Sequence, residues 1–198
     1  MVSKRVGQPR IARVSVTLDC PRKCPGCCNT YASIMKQARP VRVEEVAGYD
    51  QVIVTGGEPM LRLERTLELV NKFWEQNPGA KIYLYTAGFD PGDWASGYLV
   101  QVVDGVQYSI HAGASYHDVA MFARVQDFLR TRTWRAYTHR LFVDKAVARR
   151  IPIIPSVWSR IVVGPWMSEQ ELLAKCPDGA APGEKLLILG EREGDGTN

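Results

Sequence analysis

The stretch Asp19-Cys20-Pro21-Arg22-Lys23-Cys24-Pro25-Gly26-Cys27-Cys28-Asn29 holds four of the chain's five cysteines. It directly follows Arg13–Leu18, an apolar and β-branched run that reads as a strand. Cys20, Cys24 and Cys27 have the spacing Cys-x3-Cys-x2-Cys. Soft thiolates converging from one loop suit iron or zinc. A cubane has four irons, so three cysteines leave one iron open, as a reactive cluster needs and a sealed structural site avoids. Pro21, Pro25 and Gly26 permit a tight loop around such a group. A structural zinc site is the alternative, with Cys28 as fourth ligand, although adjacent cysteines rarely aim at one ion and no nearby His completes the set.

A second signal lies downstream. Val54-Thr55-Gly56-Gly57-Glu58-Pro59 closes the next β-rich run. Two glycines there let a ligand approach the backbone. Alone, the segment reads equally well as a strand–helix turn.

Further β-rich runs follow at Gln51–Thr55, Lys81–Thr86, Gly105–Ile110, His139–Val143 and Arg160–Val163, with a late candidate at Lys185–Leu189. Several are continuous apolar stretches, the pattern of strands covered on both faces. Helical patterns alternate with them. Met60, Leu63, Leu67, Val70 and Trp74 share one face over 60–76. Asp90 and Pro91 read as an N-cap and first helical position, with Asp93 in the first turn. Ser115 with Asp118, and Ser168 with Glu171, have capping-box spacing. The alternation predicts an α/β fold with a mainly parallel sheet. Right-handed crossovers then bring the strand ends, and any site built on them, to one rim.

The length of 198 residues fits one domain over 1–190 with a polar, Gly-rich tail at 191–198. Hydrophobic residues at 45% and charged residues at 23% exclude global disorder. The net charge of +4 permits an anionic substrate without requiring a nucleic acid. No apolar run approaches the roughly 18 residues of a membrane helix. The basic N-terminus has no apolar core behind it, so the expected compartment is the reducing cytoplasm.

Together, Cys20-x3-Cys24-x2-Cys27 and Gly56-Gly57-Glu58-Pro59 resemble the motifs of the radical S-adenosylmethionine (radical SAM) superfamily, with the strand–helix rhythm agreeing over roughly residues 11–165. The resemblance implies a partial (β/α)6 barrel with a [4Fe-4S] cluster on Cys20, Cys24 and Cys27. It implies SAM chelated to the open iron, reductive cleavage to a 5′-deoxyadenosyl radical, and hydrogen abstraction from a substrate. Gly56, Gly57, Glu58 and Pro59 would then bind the methionyl amine. By position, Thr86 and Ser109 would meet the methionyl and ribose groups, and Arg140 the carboxylate. Val162–Gly164 would line the adenine, with Gly26 offering it backbone. An external electron donor such as flavodoxin or ferredoxin is expected.

The loop Cys24-Pro25-Gly26-Cys27-Cys28-Asn29 and the segment Pro78–Thr86 also resemble anaerobic ribonucleotide reductase activases. A glycyl-radical activase working on a partner enzyme is therefore an alternative to direct catalysis on a small molecule, nucleotide or peptide. A non-catalytic metal-binding module is a third. Cys28 reads as a packed residue beside the cluster or as one that tunes it. Cys176 reads as a helix-end turn residue. His111 can contact substrate or simply pack. The basic segment 130–150 carries Arg130, Arg132, Arg135, Arg140, Lys145, Arg149 and Arg150 with Trp134 and Tyr137 interleaved. It reads as a solvated face or as a phosphate-binding surface.

Overall fold

The structure, a computed structural model, describes residues 10–131 and 137–190. Eight strands form one open sheet in which every pairing is parallel. They are β1 (Ile11–Thr17), β2 (Arg39–Val41), β3 (Gln51–Gly56), β4 (Lys81–Thr86), β5 (Gly105–Ile110), β6 (Arg140–Asp144), β7 (Arg160–Gly164) and β8 (Glu184–Leu189). The order across the sheet is β2-β8-β1-β3-β4-β5-β6-β7. β1 and β3–β7 are the six strands of the expected partial barrel. The late strand β8 joins the free side of β1, and the three-residue β2 forms the edge beyond it.

The helices are α1 (Ala32–Met35), α2 (Leu63–Gln76), α3 (Trp94–Val102), α4 (Tyr116–Arg130) and α5 (Glu169–Lys175). None is long and apolar enough to cross a membrane. Val70 and Phe73 of α2 are buried, while Met60 lies in a 3-10 turn, Pro59–Arg62, that precedes the helix. Both capping boxes form: the hydroxyls of Ser115 and Ser168 accept from the amides of Asp118 and Glu171. The cap of α3 is Asp93, whose carboxylate accepts from the Ser96 amide. Asp90 is instead occupied by the Gly92 amide and by Arg124.

The strands do not have two apolar faces. Val14, Val54, Leu84, Val106, Leu141 and Leu187 point to one side and are buried in the main core with α2, α3 and α4. Register partners in a parallel sheet share a face, so the other side carries Arg13, Thr55, Tyr83, Tyr85, Gln107, Ser109 and Arg140. These are only half-buried. The apolar runs seen in the sequence therefore mark chiefly the helix-covered face, and the concave face is mainly polar, with Ile53 and Leu186 buried beside Arg13.

Candidate active site

The cysteine loop leaves β1 at the carboxyl rim of the sheet. Between Cys24 and Cys27 the chain makes a turn closed by the Cys27 amide on the Cys24 carbonyl at 3.2 Å. Gly26 there has φ +75°, which with Pro25 ahead of it is the signature of a type II turn. A Cβ on Gly26 would press on Trp166 and the Met167 carbonyl, so its absence also lets the segment after β7 pack against the loop. Cys27 then starts a 3-10 turn, its carbonyl accepting from both the amide and the hydroxyl of Thr30.

The glycine motif holds this loop down. The Gly57 amide donates to the Thr17 carbonyl at 2.7 Å, and the Glu58 amide to the Asp19 carbonyl at 2.8 Å. The β1–β3 pairing thus continues past both strand ends. A Cβ on Gly57 would fall on the Asp19 carbonyl, and one on Gly56, at φ +130°, on that of Thr17. Asn29 closes the loop from its far side by donating to the Gly56 carbonyl.

Glu58 is buried beneath this contact. Its carboxylate accepts from the Met60 amide at 3.1 Å, the Ala87 amide at 2.9 Å and the Thr86 hydroxyl at 2.7 Å. Burial pushes its carboxyl up from its ordinary value while these bonds pull it down. Pro59 is buried at the start of the next turn, and its carbonyl accepts from Thr66. Thr86 faces the helix side, where its hydroxyl also takes the Gly88 amide. It therefore acts here as a brace between β3 and β4.

A cavity of about 170 Å³ opens at the rim between these pieces. Cys20, Cys24, Cys27, Gly56, Gly57, Glu58, Thr86 and Ser109 line it. The sequence reading did not include Arg13, Tyr85, Gln107 or Trp166, which complete its walls with Arg22 and His111. Arg13 pairs with Glu184 at 2.8 Å and lies over the Tyr85 ring. Arg22 pairs with Asp118 at 2.6 Å, tying the cysteine loop to the capping box of α4. His111 stacks flat on Trp166, ring centres 4.6 Å apart, and burial lowers its pKa to about 4.

Three expected contacts fall elsewhere. Arg140 is the first residue of β6, at the end of the strand away from the rim, and does not line the cavity. Gly26 and Cys176 border an adjacent hollow of about 270 Å³, while Cys28 lines both that hollow and the cavity. Val162 and Val163 on β7 are exposed. Arg132, Trp134 and Arg135 and the tail 191–198 lie outside the described residues. A larger hollow of about 590 Å³, between β2, β8 and α2, contains none of the motif residues.

The donor set fits an iron–sulfur cluster. The Cys24 thiol is pushed up to about 11 by burial and by the neighbouring Cys27 and Cys20. Cys20 is raised by burial, with Glu58 and Cys27 adding to it while a backbone hydrogen bond from Arg22 opposes. Metal binding would displace these protons. Among the described residues no three metal-ligating side chains converge on a single ion. Each iron of a cubane takes its own thiolate, so its ligands need not meet at one point.

The sequence model of the radical SAM superfamily matches residues 14–174, and the chain belongs to that superfamily. This is a superfamily of enzymes whose cofactors are a [4Fe-4S] cluster and SAM, generally used with an external reductant. Among the solved structures that resemble it are two with AdoMet bound. BtrN in complex with AdoMet and 2-DOIA is 17% identical with a TM-score of 0.44, over 80% of this chain and 57% of that one. Streptococcus suis SuiB bound to S-adenosylmethionine is 12% identical with a TM-score of 0.49, over 93% and 48%. The chain thus spans about half the length of these structures. No curated protein matches it.

Proposed function

We propose that the protein binds its cluster through Cys20, Cys24 and Cys27 and SAM at the cavity they share with Gly56–Pro59, and acts on a substrate held against the concave face. The observation that carries this reading is the pairing of the two motifs. The Gly57 and Glu58 amides hold the backbone that leads into Cys20, so the cysteine loop and the glycine segment form one rigid wall. When bound and reduced by an external donor, the cluster and SAM would supply radical chemistry, one-electron cleavage of the sulfonium followed by hydrogen abstraction from the substrate.

The chain's own residues position and shield. The backbone of Gly56 and Gly57 lines the cavity, and the methionyl group would lie against it. Ser109 presents a hydroxyl from β5 for the ribose. Neutral His111 and Trp166 form a flat wall that excludes water from the cavity. Residues 1–190 form one catalytic domain in this reading. Equilibrium binding of SAM to anaerobically reconstituted protein tests the site directly. Ser109→Ala should weaken SAM binding with iron content unchanged; unaltered affinity would remove Ser109 from the site.

A further inference from the structure

Tyr85, Gln107, Arg140 and Arg160 occupy one row across β4 to β7, so their side chains leave the sheet on the concave face. Arg140 and Arg160 are direct register partners. Like charges placed directly opposite on neighbouring strands repel. Among the described residues neither has a carboxylate partner, whereas Arg13 on the same face is matched by Glu184. Arg140 lies over the Tyr83 ring at 5.5 Å, which orients its plane without neutralising it. Arg160 is exposed. Two guanidiniums without a carboxylate partner therefore rise from adjacent positions of one row, Arg140 leaning across β5 toward Tyr83, and the row continues into Gln107, a residue of the cavity wall.

We propose that Arg140 and Arg160 form an anion anchor for the substrate, gripping a phosphate or carboxylate group of a small molecule whose other end reaches the cavity at Ser109. Guanidinium forks match either oxyanion in bidentate fashion. The two side chains start from strand backbones about 5 Å apart, so Arg160 and a rotated Arg140 can reach one such group. Ser109 is two residues, about 7 Å, further along β5 than Gln107, so anchor and cavity are separated by the length of a small metabolite. A neutral peptide backbone would leave both charges unmatched. The reacting end of this assignment rests on the proposed function; the anchor rests on the sheet alone.

The test uses the full chain, reconstituted anaerobically and saturated with SAM so that the cofactor site is filled. Inorganic phosphate and, separately, succinate are titrated calorimetrically at low salt. Saturable binding of at least one is expected, with the stronger probe identifying the oxyanion. Arg140→Gln and Arg160→Gln should each weaken it about tenfold or more. Arg149→Gln, on an exposed turn, should not. Arg140→Lys retains the charge, and its circular dichroism and partial binding separate anchor loss from misfolding. No saturable binding of either anion, or equal binding by the Gln variants, overturns the anchor. Iron content and 5′-deoxyadenosine release are read in the same preparation. Their presence without anion binding overturns the anchor alone; anion binding without them overturns the cofactor reading alone.

Discussion

At Gly57 the place of a side chain is taken by the Asp19 carbonyl, one residue before Cys20. The sequence reading assigned that space to a ligand; the structure fills it with the protein's own backbone. Gly57→Ala should therefore push the cysteine loop off β3 and lower iron content together with SAM binding, whereas Gly79→Ala, beside an exposed turn, should leave both unchanged. Normal iron loading in Gly57→Ala would contradict the clamp. His139 offers a second test at this scale. It is buried, its Nδ1 accepts from the Val106 amide at 3.2 Å, and burial holds its pKa down to about 4. The folded state therefore needs the neutral ring. The stability this contributes is fully present above pH 6.5 and is lost as pH falls from there toward 4. His111 adds a change of the same sign. The thermal midpoint should drop between pH 6.5 and 5, above the usual carboxylate range, and the slope should be shallower in His139→Gln. A flat wild-type profile in that window would count against a neutral His139.

Among the elements, local signals were legible and distant pairing was not. The capping boxes at Ser115 and Ser168 need only a spacing of three residues, and both formed. The cap of α3 moved from Asp90 to Asp93 because Arg124, from α4, claims Asp90. β2 is three residues long and contains Pro40, so it carries no strand signal. The place of β8 between β1 and β2 depends on contacts far apart in sequence, among them the Arg13–Glu184 pair and the buried Leu186, Leu187 and Leu189. That pair is largely buried, with side-chain exposures of 25% and 12%. Removing one member of a buried pair strands the other charge and costs on the order of 3 kcal/mol. Glu184→Ala should lose about that much in urea unfolding. A loss below about 1 kcal/mol would show that β8 is held by its apolar residues instead.

For the whole molecule, the two motifs that identify the site are contiguous in sequence, and so they could be read before the fold was known. Of the remaining walls, Thr86, Ser109 and His111 were legible by their places at strand ends, and the others were not. Arg13, Tyr85, Gln107 and Trp166 come from four separate segments and meet only once the sheet assembles. The same geometry separates Arg140 from the rim, since it begins its strand rather than ending it. Cys176 borders only the adjacent hollow, and Cys28, although it also lines the cavity, follows the three-cysteine motif, so Cys28→Ala and Cys176→Ala should each retain the full iron complement of about four per chain. Substitution of Cys20, Cys24 and Cys27 together by alanine should abolish it. Halved iron in Cys176→Ala would mean that a second site contributes. The most direct measurement is chromatographic quantitation of 5′-deoxyadenosine after anaerobic incubation of the iron-loaded protein with SAM and dithionite. Time-dependent release by the wild type, and none by the triple cysteine variant, is expected. A wild type that holds its four irons and binds SAM, yet releases no 5′-deoxyadenosine, would contradict this expectation.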